Sequence, residues 1–328
     1  MTTLVTGSAG HLGEALMHTL RAQGRSARGI DIKPSRHTDR TGSIADRHFV
    51  REVMESIEVV IHTATLHKPH VATHDYADFV ETNITGTLNL LEEAVKAGVK
   101  AFVFTSTTSA FGSALSPKPD IPAAWITEGV ISVPKNIYGA TKTSAESLCE
   151  LFAGRHNLPV VVLRTSRFFP EADDDPEIRG LYSVENAQAN ELLYRRVDIE
   201  DVVSAHLLAA RKAPEISFGR YIVSATAPFN EADLPMLREN AAGVVERLYP
   251  EASMLYAARG WTLFPTIDRV YVNEAARLAL GWQPRYDFAH VLECLRAGRD
   301  FRSKLAKGIG AKGYHEEIFD EGPYPVAR

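Results

Sequence analysis

The sequence is poor in cysteine and has no long apolar run. Only two of its 328 residues are cysteine, Cys149 and Cys294, and their spacing matches no metal-binding motif. We therefore expect two reduced thiols in a cytoplasmic protein. No apolar run reaches the length that a bilayer requires, and the first residues have a strand pattern instead of that of a signal peptide. These absences predict a protein without a membrane partner.

An excess of positive charge is missing as well. The chain has 36 lysine and arginine residues against 41 acidic residues, and its formal net charge is −5. We expect no nucleic-acid partner, because a nucleic-acid surface needs clustered basic side chains. Hydrophobic residues make up 45% of the chain, so it can bury an ordinary globular core.

Short apolar segments alternate with helical patterns over the first two-thirds of the chain. The apolar segments predict strands at residues 3–6, 26–31, 59–61, 102–104, 160–163 and 221–223. The helical patterns cover residues 11–23, 83–96 and 138–156. This alternation indicates an α/β fold, with a doubly wound parallel sheet of the Rossmann type and helices on both of its faces.

A glycine-rich turn joins the first strand to the first helix. It reads Gly7-Ser8-Ala9-Gly10-His11-Leu12-Gly13, and this G-x-x-G-x-x-G spacing differs from the G-x-G-x-x-G of the general dinucleotide motif. Glycines in such a turn let the backbone approach a pyrophosphate at the helix N-terminus. Asp31 ends the second strand, where a carboxylate accepts hydrogen bonds from the adenosine ribose and repels a ribose phosphate. We therefore predict NAD rather than NADP, although Lys33 and Arg36 follow closely.

Three stretches interrupt the alternation. Residues 169–189 are acidic and loop-like, the chain from residue 228 onward has helical patterns without a strand rhythm, and the tail after residue 304 has no clear periodicity. We assign the first two stretches to a smaller, mostly helical C-terminal lobe that binds the substrate. The predicted division gives residues 1–165 and about 198–226 to the NAD-binding domain, and residues 166–197 and 227–328 to the substrate lobe.

A tyrosine and a lysine suggest proton-transfer chemistry. Tyr138 and Lys142 are four residues apart, so on a helix they share one face. A phenol can exchange a proton with a secondary alcohol, but its usual pKa of about 10 is too high for a base at neutral pH. A nearby ammonium group stabilises the phenolate and lowers that pKa. Upstream lies the strand end Thr105-Ser106-Thr107-Thr108, whose hydroxyls can hydrogen-bond the reacting oxygen.

These motifs resemble the extended short-chain dehydrogenase/reductases, also called the NAD-dependent epimerase/dehydratase family. The resemblance extends to about Leu208 and also rests on His62-Thr63-Ala64, Asn83, Arg164 and Asp198-Ile199-Glu200-Asp201. It implies that Tyr138 is the catalytic acid and base, that Lys142 contacts Tyr138 and the nicotinamide ribose, and that Thr107 is the hydroxyl partner. Ser106 and Thr108 are the neighbours that could take the place of Thr107. Asn83 is implied as a fourth, helix-supporting member.

The same resemblance implies the residues that hold the cofactor and the substrate. The cofactor positions are Gly7, Gly10, His11, Leu12, Gly13, Asp31, Ser43, Ile44, Thr63, Ala64, Thr65, Thr105, Tyr138, Lys142 and Thr165. The substrate positions are Thr107, Thr108, His67 and Arg167. The family often has an aspartate at the adenine where this chain has Ser43, which weakens the adenine contact.

The sequence narrows the reaction without fixing it. Dehydrating members of the family have an acidic pair after the catalytic hydroxyl, and Thr108-Ser109-Ala110 has no carboxylate, which argues against dehydration. Net oxidation or reduction and epimerisation use the same residues. The span from Arg164 to Asp201 is short, and residues 170–177 are acidic, which makes a poor cradle for a diphosphate. We expect a dehydrogenase or reductase of a free sugar, sugar acid or small polyol; the alternatives are a (nucleotide-)sugar epimerase and a non-enzymatic NAD sensor or scaffold.

Several arginines and one tryptophan-containing run are candidates for the substrate pocket. The run Arg167-Phe168-Phe169-Pro170-Glu171 resembles the equivalent run of uronate dehydrogenases, which act on free sugar acids. Arg167 is predicted, with equal weight, either to clamp a substrate carboxylate or to form an ion pair with residues 173–175 or Glu171. Arg195 and Arg196 are similar candidates. Residues 261–264, Trp-Thr-Leu-Phe, are a candidate wall of the pocket.

Four histidines lie close together in sequence, namely His62, His67, His70 and His74. We predict no metal site, because His62 ends a strand and the others lie in a loop without supporting carboxylates. The family resemblance also implies a homodimer, formed through helices near residues 83–96 and 143–155.

Overall fold

The computed structural model describes residues 1–312, so the predicted lobe beyond Lys312 lies outside the described residues. The strands are β1 (Thr3–Thr6), β2 (Ala27–Asp31), β3 (Arg40–Thr41), β4 (Val59–His62), β5 (Ala101–Thr107), β6 (Ala124–Ile126), β7 (Val160–Thr165), β8 (Phe218–Val223) and β9 (Arg269–Tyr271). The helices are α1 (His11–Ala22), α2 (Arg47–Val53), α3 (Tyr76–Phe79), α4 (Gly86–Ala97), α5 (Ile137–His156), α6 (Pro176–Leu181), α7 (Val184–Glu191), α8 (Ile199–Ile216), α9 (Leu234–Leu248), α10 (Ala252–Ala257), α11 (Glu274–Leu280), α12 (Phe288–Arg296) and α13 (Lys304–Ile309). Within this part of the chain, no helix is long and apolar enough to cross a bilayer.

Seven of the strands form one parallel sheet in the order β3-β2-β1-β4-β5-β7-β8. The strand order reverses between β1 and β4, and the carboxyl ends of strands at such a reversal open a crevice that binds ligands. Every residue of β1, β4 and β7 is buried, as expected for strands that are covered on both faces. The predicted Rossmann-type doubly wound fold is confirmed.

Helices cover both faces of the sheet. Helices α1, α8, α11 and α13 contribute to the apolar core on one face, and α2, α4 and α5 contribute to the core on the other. In α1 the leucines at positions 12, 16 and 20 are all buried, because residues four apart fall on the same helical face. The sheet is thereby held between two helical layers, with only the ends of its strands open to a ligand.

The structure corrects four expectations about residues 169–189 and the chain after residue 228. Residues 169–189 contain α6 and α7 instead of a loop alone, the chain after residue 228 includes β9, and the tail includes α13. Strand β9 has only three residues and pairs with the distant β6, so no local strand rhythm could reveal it. Residues 261–264 do not wall the pocket, because Trp261 and Phe264 pack in the lobe core with Tyr256 and Phe288.

Helix α5 is fastened to the sheet by a buried carboxylate. The side chain of Glu146 is 1% exposed, and its Oε1 accepts a hydrogen bond of 2.5 Å from the Ser106 hydroxyl on β5. The Arg164 guanidinium on β7 donates to both carboxylate oxygens, at 3.0 Å and 2.7 Å. Arg220 on β8 adds an ion pair of 2.9 Å. One carboxylate therefore ties the helix to three strands.

The variant Glu146→Ala should unfold at a much lower urea concentration than the wild type. It leaves two guanidinium groups without their shared carboxylate, and breaking one partner of a buried ion pair costs about 3–5 kcal/mol. The matched control is Glu150→Ala, one turn later on α5, whose carboxylate is 60% exposed and pairs with Arg220 at 3.2 Å. It should lose less than about 1 kcal/mol. Equal losses in the two variants would contradict the anchoring role.

Candidate active site

A cavity of about 710 Å³ opens between the carboxyl edge of the large sheet and the smaller lobe. It gathers residues that the sequence spreads over most of the chain. All predicted cofactor and substrate residues except Asn83 and Lys142 line it, namely Gly7, Gly10, His11, Leu12, Gly13, Asp31, Ser43, Ile44, Thr63, Ala64, Thr65, His67, Thr105, Thr107, Thr108, Tyr138, Thr165 and Arg167. The cavity therefore brings the predicted site together in one place.

The glycine turn at one side of the cavity has the geometry that a dinucleotide needs. Gly7 has φ +70°, a conformation that side-chain-bearing residues rarely adopt. A Cβ on Gly13 would lie 1.9 Å from the Gly7 carbonyl oxygen, so α1 could not approach the turn. A Cβ on Gly10 would meet only that same oxygen, at 3.3 Å, and Gly10 lines the cavity. A side chain at Gly10 would thus occupy space that the fold leaves for a ligand.

Asp31 lies where the second strand meets the glycine turn. Its Oδ2 accepts a hydrogen bond of 2.9 Å from the Ala9 amide, and its Oδ1 accepts one of 2.9 Å from the Lys33 amide. These bonds fix the carboxylate at the cavity wall. The Ser43 hydroxyl accepts a hydrogen bond of 3.1 Å from the Ala45 amide in the neighbouring turn. The residues thus fit an adenosine ribose beside the glycine turn.

Tyr138 stands at the start of α5, beside the end of β5. The helix begins with Asn136, whose side chain accepts a hydrogen bond of 3.0 Å from the Gly139 amide. Burial raises the pKa of Tyr138 to about 12, and a hydrogen bond with the Thr107 side chain opposes that rise. Thr107 Oγ1 accepts from the Ser109 amide at 3.0 Å, which leaves its proton available as a donor. Because the Ser106 hydroxyl points to Glu146, the hydroxyl next to Tyr138 is that of Thr107.

Lys142 lies beneath Tyr138 and not in the cavity wall. It is 2% exposed, and its Nζ lies 4.1 Å from the centre of the Phe104 ring. Burial lowers the pKa of Lys142 to about 7, although Cys149 and Glu146 oppose that change. The spacing of the two residues predicts that the ammonium lowers the pKa of Tyr138. Burial instead sets the direction of the pKa shift for both groups, toward their neutral forms.

Asn83 also stands behind the cavity wall. It belongs to a π-helical turn, Val80–Thr85, that joins α3 to α4, and such turns often occur at functional sites. Its Oδ1 accepts hydrogen bonds of 2.9 Å from the Thr65 hydroxyl and the Leu66 amide. Its Nδ2 donates to the Leu66 carbonyl oxygen at 2.9 Å and to the Thr141 hydroxyl at 3.0 Å. Asn83 therefore links the loop after β4 to α5.

His62 and His67 lie in different surroundings. His62 is buried between hydroxyls, with Nδ1 at 2.7 Å from Thr6 Oγ1 and Nε2 at 3.0 Å from Thr87 Oγ1. Burial holds the pKa of His62 well below its usual value. His67 lies in the cavity wall, where its ring stacks on Phe169 with centres 5.5 Å apart. Among residues 1–312 no group of three or more His, Cys, Asp or Glu side chains could hold a metal ion.

Arg167 forms ion pairs within the smaller lobe. Its Nη1 lies 2.7 Å from Asp173 Oδ2 and 3.4 Å from Asp174 Oδ1. Arg195 reaches the same Asp173 oxygen at 2.9 Å and Glu191 at 2.7 Å. Two roles were predicted for Arg167, a clamp for a substrate carboxylate and an ion pair within the lobe, and the structure shows the ion pair. The acidic loop is neutralised by arginines, a balance that spacing along the sequence does not reveal.

Four residues of the cavity wall could not be recognised from the sequence. Lys135, Ser116, Arg269 and Tyr271 line the cavity, and the smaller lobe supplies the last two from β9. None of them belongs to a motif, and β9 itself is too short to be recognised. Lys68 forms an ion pair with Asp174 across the cavity wall. Asn136, in contrast, could have been found, because asparagine before a helix is a common N-cap.

The cavity lies where the strand order of a doubly wound sheet reverses, with a glycine turn on one side and a buried tyrosine beside it. This arrangement is typical of a dinucleotide-dependent enzyme. The family model described as the NAD dependent epimerase/dehydratase family matches residues 3–223. The chain belongs to this family, the extended short-chain dehydrogenase/reductases, and is an NAD-dependent enzyme.

Relatives and solved structures agree with this assignment. Over 237 residues the chain is 30% identical to the sterol demethylase protein B of Methylococcus capsulatus, covering 68% of this chain and 70% of that protein. It is 26% identical to a UDP-glucose 4-epimerase of Rhizobium meliloti, with 88% and 94% covered. A short-chain dehydrogenase/reductase superfamily protein from Agrobacterium tumefaciens with bound NAD aligns with a TM-score of 0.64 at 25% identity, covering 94% and 99% of the two chains. Across the relatives, the aligned segments span from 35% to 94% of the relative's own length.

The variant Asp31→Asn should shift cofactor preference from NAD toward NADP by about tenfold or more, a change of about 1.4 kcal/mol. The amide removes the negative charge that repels a ribose phosphate but keeps an acceptor for the Ala9 amide. The measurement is the dissociation constant of each reduced cofactor, by nucleotide fluorescence. The control is Asp39→Asn, whose carboxylate is 43% exposed and pairs with Arg21 at 2.8 Å outside the cavity. An unchanged preference in Asp31→Asn would contradict the ribose contact.

The variant Lys142→Met should be more stable than the wild type at pH 6. The folded-state pKa of Lys142 is about 7 against an ordinary value of 10.5, so folding disfavours its charged form. The stability gain should therefore be greatest below pH 7 and should shrink as the pH rises toward 10.5. Urea unfolding of the cofactor-free protein at pH 6 and pH 10 measures it. The exposed Lys118→Met is the control, and a gain in Lys142→Met independent of pH would contradict the assignment.

Proposed function

We propose that the enzyme oxidises or reduces a secondary hydroxyl or carbonyl of a free sugar, sugar acid or similar small polyol. The observation that carries the proposal is that Tyr138 and Thr107 both line the cavity next to the glycine turn, where the Thr107 side chain lowers the pKa of Tyr138 against the effect of burial. The two oxygens belong to different elements, α5 and β5, and Glu146 holds those elements together. Their convergence supports a shared role at one substrate oxygen.

The proposed roles follow from the hydrogen bonds. NAD, when bound, accepts a hydride from the substrate carbon and can return it. Tyr138 as phenolate takes the proton of the substrate hydroxyl while the carbon–oxygen double bond forms. Thr107, with its oxygen held by the Ser109 amide, donates a hydrogen bond to the substrate oxygen. Asn83 holds the loop after β4 against α5. Lys142, which packs on the Phe104 ring of β5, stabilises the phenolate.

The cavity supports a small substrate better than a nucleotide sugar. The cavity measures about 710 Å³, and the glycine turn and Asp31, which fit a dinucleotide, form a large part of its wall. Arg167 and Arg195, the arginines nearest the acidic loop, already pair with Asp173. They offer a diphosphate little uncompensated charge. An epimerase remains the second candidate, because the same residues serve both reactions and one relative that aligns over 94% of its length is a UDP-glucose 4-epimerase.

We also propose a cytoplasmic homodimer. Both cysteines, Cys149 and Cys294, are free and buried, as suits a reducing compartment. Near the two helices implied in the dimer, Tyr76, Val80 and Leu151 are 69%, 43% and 51% exposed. Exposed apolar side chains on or near these helices favour burial against a second chain.

The variant Tyr138→Phe should lose about 10²–10⁴-fold in kcat, the usual worth of a general acid–base group. Its dissociation constant for NADH should stay within about twofold of wild type, because the lost hydroxyl serves the substrate. The assay follows NADH absorbance with NAD and a panel of free sugars, sugar acids and polyols. The control is Tyr182→Phe, a tyrosine in the smaller lobe whose ring packs on Phe264. Turnover that survives in Tyr138→Phe would refute the catalytic assignment.

A further inference from the structure

The smaller lobe contributes one end of the cavity, and its residues have no role in the reaction proposed above. Arg269 and Tyr271 are two residues apart on β9, so their side chains share one face of that strand, and both line the cavity. The Tyr271 amide donates a hydrogen bond of 3.0 Å to the Tyr194 carbonyl oxygen. This bond places β9 directly beside Arg195, which also lines the cavity. Two guanidinium groups thus come from segments that are neighbours.

Both guanidinium groups are largely buried and incompletely hydrogen-bonded. The side chain of Arg269 is 14% exposed, and its Nη1 donates to Asp268 Oδ2 at 2.8 Å and to the Leu115 carbonyl oxygen at 3.3 Å. The side chain of Arg195 is 21% exposed. Within residues 1–312, the Nε groups of both arginines are buried and have no hydrogen-bond partner. A buried donor without an acceptor is unusual, so the protein supplies neither guanidinium group with a full set of acceptors.

Lys135 adds a third positive charge to this end. It lies on the exposed segment before α5, and its Nζ donates to the Ser116 hydroxyl at 3.1 Å. That contact does not neutralise the ammonium. Arg195 already pairs with Asp173 and Glu191, so Lys135 and Arg269 are the cations at this end that the acidic loop does not balance.

The whole cavity wall has the same imbalance. Three carboxylates line it in the described part of the chain, those of Asp31, Glu171 and Asp174. Seven cationic side chains line it, namely Lys33, Lys68, Lys135, Arg167, Arg195, Arg269 and Lys312. Among residues 1–312, Lys33 and Lys135 form no ion pair, and Arg269 pairs with Asp268, its neighbour in sequence. Unbalanced charge in a cleft attracts an anion.

We infer that Arg269 and Lys135, with Arg195 and the Tyr271 phenol beside them, bind a carboxylate on the substrate, at the end of the molecule remote from the reacting carbon. The inference rests on the proposed function, because it names the class of its substrate as a sugar acid. A guanidinium group presents parallel donors that match the two oxygens of a carboxylate. A sugar phosphate offers the same oxyanion chemistry, so the test includes one.

The experiment measures binding without turnover. Calorimetry with the enzyme–NADH complex gives dissociation constants for a hexuronate, the matching neutral hexose and the hexose 6-phosphate, none of which is oxidised by NADH. The wild type should bind the hexuronate at least tenfold more tightly than the hexose. Arg269→Gln should lose that difference. Lys135→Gln, on an exposed segment that cannot disturb the core, should lose most of it. The control Arg259→Gln changes an exposed arginine outside the cavity and should keep it.

Each result is decisive, and NADH production by the wild type with NAD is followed in parallel. The subsite would be overturned if the hexuronate and the hexose bound equally tightly, or if none of the three ligands bound. Either result would overturn the subsite even if NADH forms from a neutral sugar. Preference for the hexose phosphate over the hexuronate would overturn the carboxylate and assign a phosphate in its place. Tight, Arg269-dependent hexuronate binding without NADH production would support the subsite while refuting the proposed dehydrogenase.

Discussion

The ion pair between Glu146 and Arg164 is the constraint on which the active site depends. Tyr138, Lys142 and Glu146 follow one another at intervals of four residues, so a single face of α5 carries the phenol, the ammonium and the anchor. Since the anchor binds β5, β7 and β8 together, that face cannot rotate relative to the sheet. The phenol is consequently held beside Thr107, the last residue of β5. The fold therefore fixes the position of the phenol before the substrate binds, and the substrate does not have to supply the free energy of that alignment.

Local patterns predicted the part of the site that lies on the parallel sheet. The glycine turn, Asp31, Tyr138 and the hydroxyl residues at the end of β5 each follow a strand or begin a helix, and the carboxyl ends of parallel strands meet at one edge. The family resemblance then singled out Thr107 among those hydroxyls. Finding the strands therefore brought those residues together without coordinates. The same reasoning gave the fold, because buried parallel strands are continuous apolar runs that stand out from the helices between them.

The rest of the site depends on contacts that have no fixed spacing. Strand β9 consists of three residues and exists because β6 pairs with it, so Arg269 could not be assigned to the cavity from sequence. The choice between the two roles of Arg167 needed distances, since a run of acids and arginines can pair in many ways. The pKa values also needed burial: the spacing of Tyr138 and Lys142 predicts attraction between their charged forms, whereas the dry site favours both neutral forms.

Anchoring of the substrate bears on the choice between net oxidation and epimerisation. An epimerase must let its keto intermediate turn so that hydride returns to the opposite face. Arg269 lies on β9 and Lys135 lies before α5, and both line the cavity. A carboxylate bound by both side chains would restrict the turning of a small sugar whose reacting oxygen is at Tyr138 and Thr107. The proposed subsite therefore fits the proposed dehydrogenase better than the epimerase that is the second candidate.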